Sequence, residues 1–248
     1  QRSGTTFLSS ILSAHHNIKA IPEGQFFIDC MPPDISNINV ENLLLKIENH
    51  YRFKIWNSKL PNIENDFALP TAAEFKAKIT DKTRAIMICN PGNPTGMLYP
   101  KSALVELLDL AIKHDLFLIA DEVYREFVYD NEQHHSVLSL PNSQANTIVL
   151  DSISKRFSAC GARIGNIVSK NAECLQMILK MAQARLSPPT FGQIGATAVY
   201  QLPTSFYEGV NAEYQKRRDI LLSALRNMPG VVCPNVNGAF YALVRLPA

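Results

Sequence analysis

In RAIMICNPGNPTG, residues 84–96, an unbroken run of apolar side chains ends in a loop carrying Pro91, Gly92, Pro94 and Gly96. A continuous apolar run bounded by turn residues suits a strand buried on both faces, as in a parallel sheet. Just downstream, residues 101–114 place Leu104, Leu107, Leu108 and Ala111 at helical spacing. LFLIA (116–120) then repeats the strand pattern and stops at Asp121; TIVL (147–150) does so again and stops at Asp151. Residues 164–168 are expected to add a fourth strand, and residues 71–79 and 204–226 to be helical. The fold class read from this alternation is α/β, a mostly parallel sheet flanked by helices. In such sheets functional residues collect in the loops beyond the carboxyl ends of the strands.

The bulk composition sets outer limits. Of 248 residues, 46% are hydrophobic and 19% charged, and the formal net charge is +2. This is ordinary for a soluble globular protein and gives no electrostatic reason to expect nucleic acid or a membrane surface as partner. No apolar run reaches the roughly 18 residues of a membrane span. The 5 cysteines are scattered, without a CxxC pair. Neither a metal cluster nor a disulfide framework is expected, and reduced thiols in the cytoplasm fit best.

Three successive strand ends carry polar chemistry. The first is the loop from Asn90 to Gly96, whose prolines and glycines preorganise a turn that can aim Asn93 at a ligand. The second is Asp121-Glu122-Val123-Tyr124. A carboxylate at the end of a buried strand can pair with a protonated ring nitrogen and turn that ring into an electron sink, and Tyr124 can hydrogen-bond the ring's oxygen. The third is Asp151-Ser152-Ile153-Ser154-Lys155, with Arg163 eight residues on. A lysine becomes a nucleophile when partly desolvated or near other cations, and arginine with a hydroxyl suits a phosphate monoester. Taken singly, each has a plainer reading: a linking turn, a helix cap at Asp121, a solvated surface lysine. Their occurrence in order on three strand ends outweighs those readings.

NPGNPTG (90–96), ADEVYREFVYD (120–130) and SISKRFSACGARIG (152–165) resemble the three hallmark segments of the class I/II, fold-type I, aminotransferases. Asn237-Gly238-Ala239-Phe240-Tyr241 is similar to the GAFY strand where the small domain of that family begins. The resemblance implies pyridoxal 5′-phosphate as cofactor, held as a Schiff base by Lys155, which would also shuttle the proton between Cα and the cofactor carbon. It implies Asp121 as partner of the pyridine nitrogen, Asn93 and Tyr124 on the ring oxygen, and Ser152 and Arg163 on the phosphate. An amino acid, aspartate among the candidates, and a 2-oxo acid would be the substrates, and a cytoplasmic homodimer the expected form. No metal is implied.

The first sixty residues read differently. RSGTTFLSSILSAHHNI (2–18), Ile21-Pro22-Glu23 and YRFKIW (51–56) resemble the sulfotransferase family, in which RSGTT cradles the phosphosulfate of the donor and Glu23 would stand where some members keep a base. For RSGTT alone a capped helix start is the plainer reading. The expected organisation is therefore a sulfotransferase-like fragment over 1–61, a foreign fusion joined near 58–66, and a partial aminotransferase domain over 62–248 whose small domain begins near 215–248. The family's N-terminal phosphate turn, its ring-stacking aromatic and its carboxylate-clamping arginine are not found among these residues. A sulfotransferase fragment and a non-catalytic truncated protein are the competing readings. Two further expectations are that His134 and His135 face solvent and that Lys216-Arg217-Arg218 lies on a solvated helix face.

Overall fold

The computed structural model describes residues 68–246. The expectations for residues 1–61, and for the junction at 58–66, lie outside the described residues.

Thr71 opens the first helix, α1 (Ala72–Lys76), with a capping box: its hydroxyl accepts from Glu74 N while the Glu74 carboxylate accepts from Thr71 N. Strand β1 (Ala85–Cys89) follows, then α2 (Lys101–Lys113), β2 (Phe117–Asp121) and β3 (Thr147–Ser152). A single-turn helix, α3 (Ile153–Arg156), leaves β3 directly and is followed by β4 (Gly165–Val168). Three longer helices, α4 (Ala172–Arg185), α5 (Thr190–Val199) and α6 (Thr204–Arg226), complete the described residues.

The strands form one sheet in the order β1-β2-β3-β4. β1, β2 and β3 are parallel, with Cys89 level with Asp121 and Asp121 level with Leu150. β4 is antiparallel to β3, pairing Ser152 with Gly165 and Val149 with Val168, so the fourth strand departs from the uniform direction expected of βαβ units. The connection holds a one-turn helix and the 3-10 turn Cys160–Ala162, which reverse the chain beside β3, in place of the longer helix that usually carries a parallel crossover. Between β2 and β3 the only helical piece is the 3-10 turn Val137–Ser139.

The larger core cluster lies on one face of the sheet, while β3 is buried on both. Ile86, Ile88, Leu118, Ala120 and Val149 meet Leu104, Leu107, Leu108 and Ala111 of α2, with Val137 and Leu140 closing one end. These α2 residues are the ones whose spacing predicted the helix. Residues alternate faces along a strand, and Met87, on the face of β1 opposite Ile86 and Ile88, is exposed. A second cluster joins Val123, Tyr124, Phe127 and Tyr129 to Leu222 of α6 and to Val236 and Ala239. The helices α4 and α5 leave Met177, Leu179, Phe191 and Ile194 exposed.

The GAFY segment does not form a regular strand. It meets residues 127–129 through one isolated antiparallel bridge, Val128 to Gly238. Ala239 stands at φ 57°, the left-handed region, which ends extended pairing there. Contact with the NPGNPTG loop is close: a Cβ on Gly238 would lie 2.6 Å from Pro91 Cβ, and one on Gly96, already at φ +68°, would lie 2.8 Å from the Tyr241 carbonyl. The backbone of Gly96 also accepts from Asn237 N and Gly238 N, both at 2.9 Å. Gly96→Ala therefore strains the backbone and pushes the two segments apart. We expect a loss of about 1–3 kcal/mol in chemical denaturation, against little loss for Gly209→Ala, where a Cβ meets nothing within 4 Å.

Candidate active site

The ladder continues past the strand ends. Asn90 N donates to the Asp121 carbonyl at 2.9 Å and Glu122 N to the Leu150 carbonyl at 2.9 Å, so the three polar loops leave the sheet side by side. Inside the first loop Gly92 N donates to Met97 O and Gly96 N to Gly92 O, and the buried Asn90 side chain accepts from Tyr99 N through Oδ1. Both prolyl bonds, Asn90-Pro91 and Asn93-Pro94, are cis. The loop is thus fixed by its own backbone, which leaves the exposed Asn93 side chain to reach outward; its Nδ2 is 3.5 Å from the Tyr124 hydroxyl.

Asp121 ends β2 half-buried. Its Oδ1 accepts from Val123 N at 3.2 Å, and Oδ2 has no donor among the described residues. Burial raises its pKa to about 6; Asp151 nearby adds to the rise, while the Val123 N–H and Lys155 oppose it. A carboxylate in that state gains from any cation brought to it. Tyr124 is buried, and burial with the hydrogen bond to Tyr241 holds its hydroxyl well above the ordinary tyrosine range. Lys155 Nζ lies over the Tyr124 ring, 5.7 Å from its centroid, and makes no hydrogen bond among the described residues.

Lys155 is placed by α3. Ser152 caps that turn, its Oγ accepting from Ser154 N at 3.0 Å and facing the Ser154 hydroxyl and the Ile164 carbonyl. On the far side of the turn, the buried Arg156 guanidinium pairs with Asp151 and, at 3.3 Å, with Glu126, and stacks on Phe157 and Tyr200. Arg163 occupies a left-handed position at φ 60° and donates from Nη1 to the Cys160 carbonyl at 2.9 Å. Its neighbour Ile164 accepts from Ile153 N, which brings Arg163 alongside the Ser152 turn. The structure thus gathers Asn93, Tyr124 and Lys155 with Asp121 at the strand ends, and sets Ser152 and Arg163 together at the start of α3.

A family model for aminotransferase class I and II matches residues 48–248. The chain belongs to the class I and II aminotransferases. It is 35% identical over 185 residues to an aspartate aminotransferase of Pyrococcus abyssi, covering 74% of this chain and 47% of that protein. It is 34% identical over 185 residues to aromatic-amino-acid aminotransferase 2 of Thermococcus litoralis, again covering 74% and 47%. Among solved structures it resembles an aromatic aminotransferase from Pyrococcus horikoshii, with TM-score 0.68, 34% identity, and coverage of 74% of this chain and 49% of that one. The chain therefore spans just under half the length of these aminotransferase relatives. Among the described residues no helix is long and apolar enough to cross a membrane, and no group of three or more His, Cys, Asp or Glu could hold a metal ion.

Two expectations for the surroundings are corrected. His134 does not face solvent: its side chain is about 10% exposed, Nε2 has no hydrogen-bond partner among the described residues, and it lies 3.9 Å from Oε2 of the fully buried Glu122. Its polar neighbours in sequence hide this, because the loop containing it folds back to give Val137 N to Glu122 Oε1 at 2.9 Å. Arg218 likewise is not on a solvated face. It forks onto Asp130, bonds Asp219 and the Val236 carbonyl, and covers the Tyr129 ring at 4.8 Å, while its neighbour Arg217 stays exposed.

The Glu122 and His134 pair yields a pH test. Burial raises Glu122 to about 7, with the Val137 N–H, Ser136 and Arg125 opposing and Asp151 adding to the rise. Burial depresses His134 to about 4, helped by Arg125 and His135 and opposed by the Asn90 carbonyl. A carboxyl raised above its unfolded value binds a proton in the native state that the unfolded chain has released. Its penalty therefore grows as pH rises from about 4.5 to about 7 and is constant above that. Glu122→Gln should accordingly gain stability relative to the parent across that window, by on the order of 1–3 kcal/mol at pH 8, with no gain at pH 4. Parallel stability curves for the two proteins between pH 4 and 8 would show that another group carries the proton.

Proposed function

We propose that this chain carries the cofactor-holding centre of a pyridoxal 5′-phosphate-dependent aminotransferase, which moves an amino group between a small amino acid, aspartate among the candidates, and a 2-oxo acid. The observation that carries the reading is a free amine over the Tyr124 ring on the strand-end edge that also holds the desolvated carboxylate of Asp121. Family membership and the aspartate and aromatic aminotransferases among its relatives support the same class of reaction.

The residues fit the cofactor by their chemistry. Among the described residues Asp121 has an oxygen without a donor and a pKa lifted by burial, so a protonated pyridine nitrogen would supply a cation and return the carboxyl to its charged form. Asn93 and Tyr124 can both donate toward one ring oxygen. Ser152 and Arg163 can donate to the phosphate; among the described residues Arg163 gives one N–H to the Cys160 carbonyl, of the five it carries. Lys155 would supply the amine that holds the cofactor and would carry the proton at the substrate Cα. When bound, the cofactor supplies an electron sink for the charge left at Cα. The same reading places the protein in the cytoplasm and makes it half of a homodimer, with neither nucleic acid nor membrane as partner. It also treats residues 62–248 as the aminotransferase part, with a small domain starting near 215–248.

Incubation with pyridoxal 5′-phosphate, borohydride reduction and peptide mapping should place the label on Lys155. Lys155→Ala should lose the covalent adduct while keeping weaker, phosphate-driven binding. A label on Lys170 or Lys180 would contradict the assignment. In a separate measurement, Asp121→Ala should slow the half-reaction with an amino acid by about two to three orders of magnitude, the usual cost of removing one charge-stabilising group at a reacting centre. Near-normal rates in that variant would exclude Asp121 from the role.

A further inference from the structure

We propose that Tyr241 is a positioning residue for Tyr124, acting as a reversible hydrogen-bond partner that frees the Tyr124 proton for an oxygen of the bound cofactor. The inference rests on the reading above, and adds to it a residue outside the loops that follow the three parallel strands.

Among the described residues the Tyr124 hydroxyl has two hydrogen-bond partners, Tyr241 Oη at 2.8 Å and Asn93 Nδ2 at 3.5 Å. The amide nitrogen of Asn93 can only donate. Tyr124 therefore accepts from Asn93, and the short bond between the two tyrosines can run in either sense. If Tyr124 donates to Tyr241, its own proton is occupied. If Tyr241 donates to Tyr124, the Tyr124 O–H is free to turn toward a ligand oxygen beside Lys155. Switching the sense needs only rotation of two hydroxyl hydrogens and no movement of heavy atoms. In the second sense the chain Tyr241, Tyr124, ligand oxygen is cooperative: accepting one bond makes Tyr124 a stronger donor.

Tyr241 is held by its backbone and ring, not by its hydroxyl. Ala239 N donates to Phe127 O, the Tyr129 hydroxyl donates to Ala239 O, and the Tyr241 carbonyl packs against Gly96. Its ring meets Tyr124 edge-on at 5.5 Å and Phe240 at 4.9 Å. Tyr241→Phe thus removes the hydroxyl and leaves these contacts, which separates a polarity effect from a packing effect.

The test is a pH titration of the visible absorbance of the full chain with pyridoxal 5′-phosphate bound. With the cofactor held by Lys155, its ring oxygen would bear most negative charge in the deprotonated form, so a donor to that oxygen would lower the pKa read from the absorbance. Tyr124→Phe should raise it. Tyr241→Phe should raise it in the same direction but less, by on the order of half a pH unit, with only the small drop in melting temperature that losing one hydrogen bond brings. The double variant should match Tyr124→Phe alone, because Tyr241 acts only through Tyr124. An unshifted titration in Tyr241→Phe, or additive shifts in the double variant, would overturn the proposal while leaving the aminotransferase reading intact. Absence of any Lys155-dependent band in the parent protein would overturn both.

Discussion

The parallel ladder through β1, β2 and β3 is the constraint on which the site depends. Register in a parallel pair admits no partial slip: a shift of one residue turns every side chain to the opposite face. Here Ile86 and Ile88, Leu118 and Ala120, and Val149 all face α2, so the apolar core on that side locks the register. Locking it sets Cys89 beside Asp121 and Asp121 beside Leu150. The hydrogen bonds from Asn90 N and Glu122 N carry that alignment one residue past the strands. Hydrophobic burial on one side of the sheet thus sets where Asp121 and the residues beside it leave the strands, before any ion pair forms.

Those charged groups are costly, and the surrounding structure shows how they are kept. Asp151 and Arg156 are both about 3% exposed and pair directly, with Glu126 and Arg125 close by. A buried pair of this kind adds little net stability compared with well-packed apolar residues, but losing one partner strands the other in low dielectric. Its geometric effect is clear: it ties the end of β3 to the last residue of α3 and so fixes the turn from which Lys155 projects. Arg156 can serve as this tie because its stem and plane also pack on Phe157 and Tyr200. Cys89, next to Asp121, is kept inert by the same desolvation, which with the Asp121 charge pushes its thiol up to about 12.

What the sequence disclosed and what it hid follow from the range of the forces involved. The strand ends and α2 were legible because continuous apolar runs and 3.6-residue spacing are local properties, and the loops after them followed at once. The direction of β4 was not legible: GNIV has no pattern that distinguishes parallel from antiparallel pairing, and the two short turns at 153–156 and 160–162 bring the chain back alongside β3 only once folded. His134 looked exposed because its neighbours Glu132, Gln133 and His135 are polar, yet its burial is decided by Glu122 and Val137, which meet only after folding. Arg218 sat in a basic run whose members part company once Asp130 arrives from the loop after β2. The GAFY residues were noticed as a motif, but nothing local showed that Tyr241 would reach Tyr124 across 117 positions. Helix α1 is shorter than residues 71–79 suggested, ending where Ala77 caps it.

Tyr124 stands between the turn after β2 and the second packed cluster, and the two hold it by different means. On the ladder side its backbone belongs to the turn after β2, anchored by Glu122 N on Leu150 O and by Phe127 N on Tyr124 O. On the other side its ring packs against Phe240 and Tyr241, whose placement depends on a left-handed alanine and on two glycines pressed against their neighbours. The first restraint is distributed over a sheet and resists any single change. The second passes through a few positions where one methyl group is enough to displace the segment. A site built this way has a rigid floor and a more easily adjusted wall, so changes that retune the hydroxyl of Tyr124 without disturbing Asp121 or Lys155 are most readily made in residues 236–241.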